Sequence, residues 1–216
     1  MSFILKRGLS NVFAAEVTKD DNIENGGYET GTPFHLIPAG EMSRTVENDK
    51  ANVYFDNVVF YQSGMEGATE VSVTGAALRP ADVANLLGKT VDETTGAVLD
   101  TGEYTEKYFA LGGETENSDG TKEYFWFLKG TFAAPEQADK TKDDSTDTNG
   151  MTLVYSAIQT QHLFDVTENG KTKKKPMKRV VIDTETTKLK EDQEWTKQVV
   201  TPVNIGTVCE KVTAAN

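Results

Sequence analysis

The sequence predicts an all-β fold, mainly antiparallel, arranged as a β-sandwich or barrel with one short α-helix near residues 80–87. Three observations favour this class. Apolar residues recur mostly at every second position, turn-forming Asp-Gly and Asn-Gly pairs separate apolar stretches, and only one segment has helical spacing. At 216 residues the chain is long enough for one large all-β domain or two small ones, and it contains no internal repeat.

The N-terminal part of the chain has the pattern of strands separated by polar loops. Residues 9–18 predict a first strand, which is followed by a polar, glycine-rich loop through Thr32. Residues 35–48 predict two short extended segments. Ala39 and Gly40 are predicted to form the turn between them.

A clearly one-sided strand precedes the predicted helix. In residues 68–77, Val71 and Val73 alternate with polar residues, so one face of this strand is expected to be buried and the other wet. The segment 80–87 begins with proline, which suits a first helical turn. Gly88 directly after it suits a C-terminal cap, so the sequence predicts a helix of about two turns.

The rest of the chain is predicted to form hairpins. Residues 88–102 indicate a small hairpin, and residues 107–135 indicate the strongest one, with Asp-Gly in its turn at 117–120. A further turn is predicted at Asn169-Gly170. The last thirty residues are less regular, with one more extended segment predicted around residues 195–205.

Three segments are apolar on both alternating faces, which a half-exposed strand should not be. They are residues 53–61, 124–128 and 151–163, each interpreted as one strand. In the second segment, one predicted face consists of Tyr124, Trp126 and Leu128. The opposite face consists of Phe125 and Phe127. We interpret the additional apolar face as a surface that other copies of the same protein cover.

The charge balance limits the class of partner. The chain has 22 Lys and Arg against 34 Asp and Glu, a formal net charge of −12. This argues against a nucleic-acid groove or an anionic membrane as the main partner, because both require excess basic residues. The basic residues that are present cluster at Lys171, Lys173, Lys174, Lys175, Lys178 and Arg179. The cluster is either a solvated hairpin tip or a contact for an acidic segment of another copy.

The sequence offers little for catalysis or metal binding. Two histidines, His35 and His162, and the single Cys209 lack the close ligand spacing of zinc sites. Residues 143–150 look like a calcium loop at first, but Ser145 and Ser156 would occupy the positions that require Asp and Glu. We therefore expect no enzyme activity, no cofactor and no metal. Chance pairs among the many carboxylates leave a glycosidase as an open alternative.

A long polar segment separates two strong strands at residues 134–150. It is rich in Asp, Lys, Thr and Gly, whereas a hairpin connection usually needs about two to five residues. We expect it to become ordered on contact with a neighbouring subunit. Its carboxylates Asp139, Asp143, Asp144 and Asp147 are predicted to meet the lysines at 171–175, which are Lys171, Lys173, Lys174 and Lys175.

Several stretches, in this order, resemble the major tail protein, or tail tube protein, of long-tailed bacteriophages. They are "GLSNVFAAEVT", "VYFDNVVFY", "LRPADVANLLG", "KYFALGGETENSDGTKEYFWFLKGTF" and "NGKTKKKPMKRVVID". Together they span roughly residues 6 to 185. The resemblance therefore implies a tail-tube β domain over residues 1–185. Residues 186–216 would be a C-terminal extension, an extra strand or arm that packs on the same or a neighbouring subunit.

The resemblance implies a structural virion protein. In that family, copies join edge to edge into hexameric rings that stack into a tube for DNA ejection, with the genome touching the protein only in passage. The expected partners are further copies of the chain and other tail proteins (tape measure, tail terminator and distal tail protein), without membrane insertion. The expected location is the virion tail, assembled in the host bacterial cytoplasm.

Candidate subunit-interface residues follow from the apolar and charged patterns. They are Val53, Phe55, Val58, Phe60, Asp139, Asp143, Asp144, Asp147, Lys173, Lys174 and Lys175. The alternative function is an Ig-like binding module that a virion displays toward a host receptor or carbohydrate. An aromatic cluster on an exposed loop would favour that alternative, whereas here the aromatic residues fall inside predicted strands.

Overall fold

The computed structural model describes residues 3–23, 26–55, 58–135 and 150–212, with backbone only for 48–55 and 58–65. Within these described residues the structure has two helices, α1 Pro80–Leu87 and α2 Ile205–Val208. The strands are β1 Lys6–Asp20, β2 Tyr28–Thr30, β3 Phe34–His35, β4 Ala39–Phe55, β5 Val58–Ala76, β6 Thr90–Val91, β7 Val98–Leu99, β8 Phe109–Asn117, β9 Lys122–Phe132, β10 Gly150–Ile158, β11 Leu163–Glu168, β12 Lys171–Pro176, β13 Arg179–Asp183, β14 Thr187–Leu189 and β15 Cys209–Lys211.

One large antiparallel sheet dominates the fold and confirms the predicted all-β class. Its strand order is β2-β1-β8-β9-β10-β5-β4, with β3 added to β1 and β13 added to β9. The sheet curls so that β4, at one end of the order, approaches β1 near the other end, and the two strands line a common cleft. The pairs β6–β7, β11–β12 and β14–β15 form small separate hairpins or ladders.

The two faces of β9 are buried in two different apolar clusters. Phe125 and Phe127 lie in the first cluster, which the curled sheet encloses. Trp126 and Leu128 lie in the second cluster on the opposite face. The predicted assignment of these residues to two faces is therefore confirmed, since side chains alternate along a strand.

The expectation that another copy covers the second face of residues 124–128 is wrong. The C-terminal part of the chain covers it, with Trp195, Val200 and Val208 packed in the second cluster. Phe125, Trp126, Phe127 and Leu128 are at most 1 % exposed in the single chain. Periodicity indicates that both faces are buried, but it carries no information on which segment buries them.

Two glycines in β8 make room for the aromatic residues of β9. Gly112 pairs with Trp126 and Gly113 with Phe125 across the β8–β9 hairpin. A Cβ atom at Gly112 would stand 2.5 Å from the Trp126 indole ring. The indole therefore lies directly over the β8 backbone, which only a residue without a side chain permits.

The predicted helix and most predicted turns are confirmed. Helix α1 covers Pro80–Leu87, and Gly88 ends it at φ 67°, the left-handed conformation that glycine adopts without cost. The turn between β8 and β9 and the turn at Asn169-Gly170 also lie where the sequence predicts them. Val71 and Val73 are fully buried, as their alternation predicts.

Four local predictions are wrong. Ala39 and Gly40 are not a turn but the start of β4, beside an irregularity in the β4–β5 register. Residues 53–61 are not one strand, because β4 ends at Phe55 and β5 begins at Val58, with the turn-favouring pair Asp-Asn between them. Strand β10 is one-sided and ends at Ile158. Residues 195–204 pack irregularly and lead into α2, whose four residues are too few for a periodic signal.

A buried ion pair ties the end of β1 to β9. The Lys129 ammonium lies 2.7 Å from the Asp20 carboxylate, and their side chains are 6 % and 4 % exposed. Asp20 also accepts hydrogen bonds from the backbone N–H groups of Gln161 and His162. Burial opposes ionisation of Asp20, but these donors and Lys129 outweigh it, so the pKa of Asp20 lies below its usual value.

Replacing Lys129 by Met is expected to destabilise the subunit by about 3–5 kcal/mol, because it leaves a buried carboxylate without its partner. Lys197→Met is the matched control, since its pair with Glu194 is exposed and contributes at most about 1 kcal/mol. Denaturant unfolding at neutral pH measures both. A loss for Lys129→Met no larger than for Lys197→Met would contradict this account of the pair.

The ion pair between Asp20 and Lys129 also predicts how the stability of the fold depends on pH. Because folding lowers the pKa of Asp20, its contribution is present above the ordinary carboxyl value of about 3.9 and disappears as the pH falls through the lower folded value. Asp20→Asn should therefore differ most from the natural protein at neutral pH. The difference should shrink in acid.

Candidate assembly surface

The β4–β5 hairpin extends beyond the sheet to which it belongs. Strand β10 pairs with β5 only from Thr69 to Ala76. The remaining part of the hairpin, residues 47–55 and 58–67, pairs only with itself among the described strands, and we call it the arm. At about 3.4 Å per residue, the paired section from Asn48 to Phe55 is about 25 Å long.

The arm carries the apolar residues that the sequence singles out. Its backbone register pairs Val53 with Tyr61 and Phe55 with Val58. Val58 and Phe60 follow on β5, so four of the predicted interface residues share one hairpin. Their side chains lie outside the described part of the structure. An isolated two-stranded hairpin is at best marginally stable in water, so an arm of this composition favours a covering partner.

Strand β4 also forms one end of the large sheet. Along residues 39–45, no described strand pairs with its outer edge. Such an edge presents a row of backbone donors and acceptors that can add a strand from another chain. Strand β2, at the other end of the order, has only three residues and is therefore a much smaller edge.

Arg44 occupies the inner side of β4 and joins it to β9. Its guanidinium lies 4.0 Å from the centre of the Phe125 ring and 3.7 Å from the Glu123 carboxylate. Burial and the charge of Arg179 lower the pKa of Arg44, against the opposing effect of Glu123. Sequence reasoning missed this contact, because no local pattern links β4 to β9 across so many residues.

The predicted lysines lie on the β11–β12 hairpin. Lys173, Lys174 and Lys175 pair with Val166, Asp165 and Phe164 in the backbone register. Lys175 Nζ contacts the Glu168 carboxylate at 2.6 Å, while Lys173 and Lys174 are exposed and make no ion pair among the described residues. The acidic residues expected to meet them, Asp139, Asp143, Asp144 and Asp147, lie outside the described residues.

The two histidines pack in separate environments. His35 makes an edge contact with the Phe13 ring at 5.4 Å. His162 packs edge-on against Phe164 at 4.7 Å, and its backbone N–H binds Asp20. Cys209 is buried, which raises the pKa of its thiol. Within the part of the chain that the structure describes, no three His, Cys, Asp or Glu residues are placed to hold a metal ion.

Neither helix among the described residues has the length and apolar content needed to cross a membrane. Most described aromatic side chains belong to the two apolar clusters or pack against them. Among the described side chains, the large exposed aromatic residues are Phe3, Phe34 and Tyr104.

No family model and no curated protein sequence matches the chain. Among solved structures, one similar chain belongs to the sheath-tube complex, in its extended state, of an extracellular contractile injection system, PVC. The identity is 14 %, the TM-score is 0.34, and the match covers 69 % of this chain and 86 % of the other. Another belongs to the baseplate of the anti-feeding prophage (AFP), with 11 % identity, a TM-score of 0.35, and coverage of 84 % and 97 %. At these values neither likeness decides the family or function of this chain.

Proposed function

We propose that this protein is a structural subunit that assembles with copies of itself into rings, which stack into the tube of a phage-type tail. The observation that carries the proposal is the arm, a paired hairpin that leaves its own sheet and has an apolar tip sequence. In a single chain, no other described strand pairs with it. In an assembly, a neighbouring copy would cover it.

The outer edge of β4 supports the same proposal. Residues 39–45 present unpaired backbone groups next to the arm, so edge and arm form one continuous surface along β4. Backbone pairing at such an edge adds a strand without requiring a particular side chain. Repeated edge-to-edge addition around an axis closes a ring, as the resemblance to tail tube proteins implies.

The charge of the chain fits a conduit for DNA. With a net charge of −12, the protein does not attract phosphates by releasing counterions as a basic groove does. A duplex passing through a tube of such subunits would not bind to its wall. The proposed tube therefore guides the genome during ejection and holds it only in passage.

Light scattering across a concentration series tests the proposal. The single chain has a mass of 23.7 kDa, and we expect species of several times this mass as the concentration rises. The other tail proteins that the resemblance implies, above all the tail terminator and tape measure proteins, would set where assembly starts and stops. A single 23.7 kDa species at every concentration, with or without those partners, would argue against self-assembly.

The segment 134–150 is proposed to contribute to contacts between subunits. Strands β9 and β10 are already paired at Phe132 and Tyr155, so the long connection between them is not needed to hold the sheet together. Its carboxylates would meet the exposed lysines Lys173 and Lys174 of a neighbouring copy. Single pairs of this kind contribute little, whereas the whole segment contributes more.

Shortening residues 136–148 to a Gly-Ser turn is expected to leave a folded subunit that assembles poorly. The reason is the loss of a contact between copies, while the β9–β10 pairing is retained. Thermal unfolding and light scattering measure the two properties separately. Tubes of natural length and stability from the shortened chain would contradict the role of this segment.

A further inference from the structure

One edge of β1 and the outer edge of β4 face a common cleft. Residues 6–11 of β1 pair with β8 on one edge and with no described strand on the other. Residues 39–45 of β4 are likewise without a strand partner on their outer edge. A cleft of about 400 Å³ lies between the two strands, with Leu9 and Met42 as its apolar part.

The cleft carries a small excess of positive charge, although the chain as a whole is acidic. Lys6, Arg7 and Arg44 line it. Glu123 lies 3.0 Å from Lys6 and 3.7 Å from Arg44, so one carboxylate serves two cations. Arg7 is exposed and makes no ion pair within the described part of the chain. Glu41 also lines the cleft, so three cations stand against two carboxylates there.

A buried hydroxyl in the cleft lacks a hydrogen-bond partner. Thr115 on β8 is only 9 % exposed, and its Oγ1 makes no hydrogen bond among the described residues. It lines the same cleft as the three cations. A buried polar group without a partner costs stability, and a hydrogen bond to a group of another molecule would recover that cost.

We propose that this cleft binds a carboxylate carried by an extended segment of a second copy of the chain. Arg7 and Arg44 pair with the carboxylate, the Thr115 hydroxyl donates a hydrogen bond to it, and the two strand edges hold the backbone beside it. The inference rests on the proposed self-assembly. It adds to that proposal the chemistry by which one copy recognises the next.

A second copy is the occupant that the charges favour. The chain carries 34 Asp and Glu, so each neighbour presents many carboxylates to a positive cleft. The same cleft would attract the phosphates of a nucleic acid, but the net charge of −12 on the chain would repel them. The cleft also contains apolar side chains, Leu9 and Met42, which suit a segment of protein better than a free inorganic anion.

The sharpest test is Thr115→Val, because it removes the hydroxyl and keeps the volume. The isolated subunit should be as stable as the natural protein or more stable, since an unsatisfied buried group is removed. Assembly should require about tenfold more protein, because a hydrogen bond to a charged group is lost. Thr152→Val, which alters an exposed hydroxyl paired with Thr74, is the control and should change neither property.

Arg7→Gln provides a second variant that does not depend on core packing. It should weaken assembly by a similar factor, and the difference from the natural protein should shrink at high salt. Titration of the natural subunit with inorganic phosphate, followed by NMR at Thr115, tests for a free anion. Shifts on phosphate addition together with unchanged assembly of Thr115→Val would overturn the second-copy occupant.

The outcomes separate this inference from the proposed function. If the natural protein assembles and both Thr115→Val and Arg7→Gln assemble at the same concentration, the cleft is not the contact, and self-assembly stands. If the natural protein does not assemble under any condition, the proposed function fails and this inference with it. Weaker assembly of both variants, with natural stability of the isolated subunits, supports the cleft.

Discussion

Replacing residues 48–66 by an Asn-Gly turn is expected to give a folded subunit that no longer assembles. The change joins Glu47 to Gly67, whose positions face each other across the hairpin, since a Cβ atom on Gly67 would lie 3.3 Å from that of Glu47. The pairing of β5 with β10 from Thr69 onward is retained. The unfolding temperature should therefore change little, while the assembled fraction falls below detection.

A second variant keeps the length of the arm and removes only its apolar side chains. Changing Val53, Phe55, Val58 and Phe60 together to Thr keeps residues that favour strands but removes the large apolar side chains. We expect this variant to lose assembly as the truncation does. The matched control changes Asn52 and Gln62, a cross-strand pair on the same arm, to Thr. Assembly by the truncated chain would contradict the role of the arm.

The second large effect, on the stability of the subunit, is expected when Trp195 is replaced. This side chain is 2 % exposed in the second apolar cluster. Its indole N–H donates to the Phe125 carbonyl at 3.1 Å, and the Trp126 indole N–H donates to the Trp195 carbonyl at 3.2 Å. The two tryptophans thus fasten the C-terminal segment to β9 by reciprocal hydrogen bonds as well as by packing.

Trp195→Ala should destabilise the subunit by about 3–5 kcal/mol, as removal of a large buried aromatic residue does. Release of the C-terminal segment should also make the chain more sensitive to proteolysis after β13. Tyr104→Ala is the control, because Tyr104 is 69 % exposed and should have little effect on stability. Equal denaturant midpoints for Trp195→Ala and Tyr104→Ala would contradict the role assigned to the C-terminal segment.

The sequence predicts elements best where the signal is local. The β8–β9 hairpin follows from an Asp-Gly turn between apolar runs, and α1 follows from Pro80 and Gly88 at its two ends. The division of residues 53–61 between β4 and β5 is not predicted, because apolar residues on both sides of Asp-Asn resemble one long strand. A break that no glycine marks gives a weaker signal than the apolar run around it.

Contacts between distant segments could not be predicted from sequence patterns. The two-sided burial of β9 is visible in the sequence, but its cover comes from Trp195 and its neighbours, which have no regular period. The pair of Asp20 with Lys129 and the contact of Arg44 with Glu123 depend on how the sheet curls. Thr115 gives no signal in the sequence at all, because an unpaired hydroxyl is a property of the fold.

Negative-stain electron microscopy of the purified natural protein at high concentration tests the central claim most directly. We expect rings with rotational symmetry and a central opening, and stacked rings that form tubes. The same preparation of the chain lacking residues 48–66 should show single particles of subunit size. A field of isolated subunits from the natural protein, also with tail partners present, would contradict the claim that this chain assembles with copies of itself.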